Sequence, residues 1–132
     1  MKPKEIIIMS LVDVVGALAS DNIKGNLYLF DNNKSDGSLD EGTGVLKTKV
    51  KTGDVLIWTI MSMEPESYAA ISNITIDPEV CSPVTEMYPD SDVSYWQATV
   101  LKEVTSVPYK ITFEVGVKKQ QVETRETPSL IG

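Results

Sequence analysis

Apolar and polar positions alternate with a period of two along much of this chain, and no long segment keeps helical spacing. Residues 108–118 are the clearest case. Tyr109, Ile111, Phe113, Val115 and Val117 fall on one side, while Lys110, Thr112, Glu114 and Lys118 fall on the other. Successive side chains of a strand point to opposite faces, so this pattern predicts a half-buried strand with one wet face. Residues 6–12 form a nearly continuous apolar run, which predicts a central strand covered on both faces. Further strands are predicted over 26–30, 45–50, 54–63, 71–76 and 96–103, with a short return at 121–125 and a single helical turn at 17–21.

About eight strands separated by turn residues point to an all-β fold, most economically an antiparallel two-sheet β-sandwich of jelly-roll or immunoglobulin-like type. A closed barrel satisfies the same pattern. The expected organisation is a single domain over 1–125 followed by a C-terminal tail at 126–132. Two connections are too rich for simple hairpins. One is residues 30–44, FDNNKSDGSLDEGTG. The other is 77–94, with three prolines and the acids Asp77, Glu79, Glu86, Asp90 and Asp92. Long irregular loops in compact domains are often functional.

Composition narrows the chemistry. With 19 acidic against 12 basic residues the net charge is −7, which argues against nucleic acid and against an anionic membrane surface. The chain has no histidine, so hydrolysis with a histidine base and histidine-ligated metals are excluded. The single cysteine, Cys81, reads as a small buried apolar residue and fits a reducing compartment. Lys2, Lys4 and the apolar stretch 6–19 imitate a secretion signal, but Glu5 and Asp13 interrupt it. A cytoplasmic protein without a cleavable signal peptide is therefore expected. No run reaches the roughly 18 apolar residues of a membrane-spanning helix.

The 30–44 tract raises the question of calcium. An EF-hand fails in either register: started at Asp31 the sixth position is Asp36, not glycine, and started at Asn32 the third is Lys34. An irregular site built from Asp31, Asn33, Asp36, Asp40 and Glu41, joined by Asp90 and Asp92 of the second loop, is the remaining metal reading. The competing one is a turn capped by Asp31, Asn32 and Asn33 through bonds to main-chain N–H groups. No cofactor other than calcium is suggested. Tyr95 and Trp96, beside the second acidic loop, are the candidate platform for a sugar ring. Nothing marks a pair of carboxylates for acid–base catalysis.

Read in order, LVDVVGALAS, NLYLFDNNKSDGSLDEGT, LIWTI, VCSP and YWQATV resemble the AidA/PixA family of bacterial proteins over about residues 6 to 118. The tract from Asn26 to Thr43 carries the resemblance most specifically. It implies a non-catalytic protein of the inclusion-body type, linked in that family to quorum sensing and host interaction, with no catalytic residues to transfer. With only five methionines, a dedicated storage role is not visible here. The expectation is a self-associating homo-oligomer that is not an enzyme. The alternative is a lectin-like carbohydrate-binding module, calcium-dependent through the acidic loops.

Overall fold

The computed structural model describes residues 3–132. It is mostly β, with eleven strands among the described residues, several of them only three or four residues long. The first sheet has five strands in the order β2-β1-β4-β7-β6, from β1 (Glu5–Val12), β2 (Leu27–Asp31), β4 (Val55–Ser62), β6 (Val84–Met87) and β7 (Ser94–Thr99). The second is β10-β9-β5, from β5 (Ala69–Thr75), β9 (Lys110–Val115) and β10 (Gln120–Glu123). The third is β3-β11-β8, from β3 (Lys47–Lys49), β8 (Ser106–Pro108) and β11 (Ser129–Ile131). These described sheets are open, and none closes into a barrel.

The purely antiparallel expectation is corrected. β1 runs parallel to β4 along its whole length, from Glu5 opposite Val55 to Val12 opposite Ser62. β3 also runs parallel to β11. Parallel neighbours need a long crossover. The first contains a helix, α1 (Val14–Ser20), then β2 and β3. Asp13, which breaks the signal-like run, caps α1: its carboxylate accepts the Gly16 N–H at 2.9 Å. Glu64 caps the same end of the helix, accepting the Val14 N–H at 2.8 Å.

β1 is central, as its composition suggests, but it is not covered evenly. Ile6, Ile8, Ser10 and Val12 are buried, whereas Ile7 is 40% exposed. An apolar run hides this alternation because both faces carry the same residue type. In β9 the alternation holds through Val115 and then fails. Gly116, at φ +79°, and Lys119, at φ +52°, turn the chain, and Val117 is 99% exposed.

Two elements contradict the sequence reading. The segment 77–94 is not wholly irregular, because β6 lies inside it and pairs with β7. Residues 126–132 are not a tail. β11 is the middle strand of its sheet, and Leu130 is fully buried. Three residues between Pro128 and Gly132 are too few to show a period, and the parallel partner is remote in sequence.

The core lies against the inner face of the five-stranded sheet. Trp58 of β4 and Tyr109 meet edge to face, centroids 5.7 Å apart, and the indole N–H donates to the phenol oxygen at 3.3 Å. Trp96 of β7 donates through its indole to the Ile71 carbonyl at 3.1 Å. These bonds tie the first sheet to the side that holds β5 and β9.

Candidate functional site

The tract after β2 folds back as a compact loop. A 3₁₀ turn at Lys34–Asp36 ends on Gly37 at φ +121°, and Leu39 then bridges to Lys47. Asn33 is its pin and is buried. Its main-chain N–H donates to the Asp31 carboxylate at 2.8 Å, and its side-chain amide donates to the Lys49 carbonyl at 2.7 Å. Its side-chain oxygen accepts from Lys4. Asn32 prolongs the β1 edge, accepting the Ile7 N–H at 3.0 Å. Asx residues bonding nearby N–H groups make a turn without any ion.

The five residues of the metal reading do not converge on one point. Asp36 pairs with Lys4, which holds its carboxyl below the usual range. Asp40 pairs with Lys47 at 2.7 Å. Asn33 is occupied as described. Asp31 and Glu41 are neighbours: the Asp31 N–H donates to a Glu41 carboxylate oxygen at 2.8 Å. Burial pushes the Glu41 carboxyl up. The Asp31 N–H acts in the opposite direction, and the adjoining Asp31 carboxylate adds to the rise. Among the described residues no three acidic or cysteine side chains are grouped to hold a metal.

The second acidic loop lies elsewhere. Asp90 and Asp92 sit on the exposed turn between β6 and β7, where Tyr88 N–H donates to the Val93 carbonyl at 2.9 Å. β2 and β6 are opposite edges of the five-stranded sheet, so about 19 Å separates them at ordinary strand spacing. The two loops also leave from opposite ends of the strands: Asp31 lies beside Ile8 toward the start of β1, and the 88–93 turn follows the far end of β6. This fold sets the two loops apart.

The aromatic platform is likewise divided. Trp96 is turned inward by its bond to Ile71, whereas Tyr95 stacks on Tyr88, with ring centroids 4.5 Å apart. Cys81 is buried, and burial pushes its thiol up to about 11, so it stays protonated and unreactive near neutral pH. A cleft of about 370 Å³ runs past Lys4, Asp36, Lys49, Lys51 and Asp54. Lys4 is held by Asn33 and Asp36, and Lys49 by the Gly132 carbonyl. Sequence reasoning missed these lysine anchors, because nothing in a lysine's own neighbourhood signals a partner 29 to 83 residues away.

A family model described as a domain of unknown function, DUF8788, matches residues 4–121. The chain belongs to the DUF8788 family. For this DUF8788 protein no curated protein matches. Among solved structures it is similar to the inclusion body protein PixA from Burkholderia cenocepacia J2315. The TM-score is 0.73 with 15% identity, over 98% of this chain and 92% of that one. At that identity the likeness is one of fold. The resemblance to the AidA/PixA family read from residues 6–118 is therefore met in three dimensions. The DUF8788 match ends before β11, yet the structural match runs through nearly the whole chain.

Proposed function

We propose that this protein is a non-catalytic, self-associating protein of the PixA type, held in the cytoplasm, whose copies pack through their folded surfaces. The observation that carries the reading is the shared fold over 98% of the chain with a protein described as an inclusion body protein. In this reading the five-stranded sheet and the β10-β9-β5 sheet are the two layers of a sandwich. The site chemistry supports the same view. The acids of the 31–41 loop are engaged by lysines and main-chain N–H groups, an arrangement that stiffens a loop and leaves little to receive a substrate.

Sedimentation velocity over a wide concentration range tests the proposal. Reversible association that grows with concentration is expected. A sharp monomer from micromolar to near-millimolar protein would overturn it.

A further inference from the structure

The outer face of the five-stranded sheet is largely apolar across its inner strands. One row crosses it as Ile7, Ile57, Gln97 and Val84, each opposite the next in register. A second runs Tyr28, Leu11 and Met61, and a third runs Phe30, Met9 and Thr59. Ile7, Phe30, Met61 and Val84 are 40 to 55% exposed. Isolated exposed apolar residues are ordinary, whereas a contiguous field of them marks an interaction surface. The acids on this face, Glu5 and Glu86, sit at its margins, Glu5 at the start of β1 and Glu86 on the edge strand β6.

We infer that this face is where a second copy of the chain docks, sheet against sheet, an inference that rests on the self-association proposed above. Two observations select that occupant, and a third closes one alternative contact. The first is charge. Two copies at −7 each repel one another, and they approach closely at least cost where neither presents a charge. The second is size. Five strands about 4.8 Å apart, the longest of eight residues at about 3.3 Å each, give a field of about 20 by 25 Å. Its roughened surface comes close to the 600–800 Å² or so that each partner gives to a small stable interface. The third is that β3, an edge strand by position, is not open to pairing between copies. Lys47 and Leu39 exchange both main-chain bonds at 2.9 Å, and the Lys49 N–H donates to the Ser38 hydroxyl at 3.0 Å. The loop that reads like a calcium site thus closes a sheet edge.

The test is sedimentation velocity on the full chain and on Ile7→Glu and Met61→Glu, each placing an acid on an inner strand of the field, β1 or β4, at a half-exposed position. Melting curves and circular dichroism accompany it to show that each variant is folded. The expected result is association of the wild type and a loss of at least about tenfold in association constant for each folded variant. Folded variants that associate as well as the wild type would overturn the docking face while leaving self-association standing. A wild type that stays monomeric would overturn both. If either variant fails to fold, Val84→Glu on the edge strand β6 decides in its place by the same criterion.

Discussion

The main-chain N–H of Asp31 donates to Glu41 at 2.8 Å, while Oδ2 of Asp31 and Oε2 of Glu41 are both buried with no hydrogen-bond partner. Two carboxylates thus share a confined space, each with one unpaired oxygen. A buried acceptor left unmatched costs on the order of 1–3 kcal/mol.

Glu41→Gln should relieve that cost. The amide keeps an oxygen for the Asp31 N–H and offers an N–H to the Asp31 carboxylate, so a gain of about 1 kcal/mol and a melting point higher by about 4 °C are expected at neutral pH. The pH dependence has a definite sign. The Glu41 carboxyl titrates above its ordinary 4.5, so the folded chain holds the proton more tightly than the unfolded one. Its contribution is fully present below 4.5 and is lost as pH rises through the raised value. The variant does not titrate there. Paired melts from acid to neutral pH should show its advantage widening as pH rises, and a constant gap would mean that the Glu41 carboxyl is not raised in the folded chain.

Asn33→Ala removes the pin of the loop. It leaves the Lys49 carbonyl short of a donor and Lys4 short of an acceptor. The expected loss is about 2–3 kcal/mol, read as a fall in melting point of about 10 °C. A change within about 0.5 kcal/mol, usual for surface positions, would show that the loop does not depend on this residue.

Calcium should leave stability unchanged. A cation bound at a hundred times its dissociation constant adds about 2.7 kcal/mol and would raise the midpoint by about 5–10 °C. Melts in EDTA and in millimolar calcium are expected to coincide. A shift of that size would mean that the 31–41 loop rearranges around the ion.

Leu130→Ala separates a structural strand from a tail. Leu130 is fully buried in the centre of its sheet, so a loss of about 2–5 kcal/mol in urea unfolding is expected. A tail residue would show almost none.

What the sequence revealed, and what it hid, follows from how far each signal reaches. β9 was legible because Ile111, Phe113 and Val115 alternate with polar residues. β1 was legible as a strand but not in its facing, since Ile7 and Ile8 are chemically identical and only one is buried. β11 was invisible, because its evidence lies in β3 and β8 and not in its own three residues. The 31–41 loop was legible as a choice between calcium and capping. Its outcome depended on Lys4, just before β1, and on Lys47 and Lys49 of β3. Distant acids were grouped by composition, yet sheet order sets the two loops on opposite edges.

The parallel pairings also set a clock. The β6–β7 and β9–β10 hairpins join near neighbours and can close within microseconds. β3 must instead wait for β11, most of the chain later, and closing so large a loop loses entropy before any contact offsets it. Refolding is therefore expected to finish with the β3-β11-β8 sheet. Until then β3 lacks its inner neighbour, and a slow, crowded chain has its best opportunity to pair with the wrong molecule.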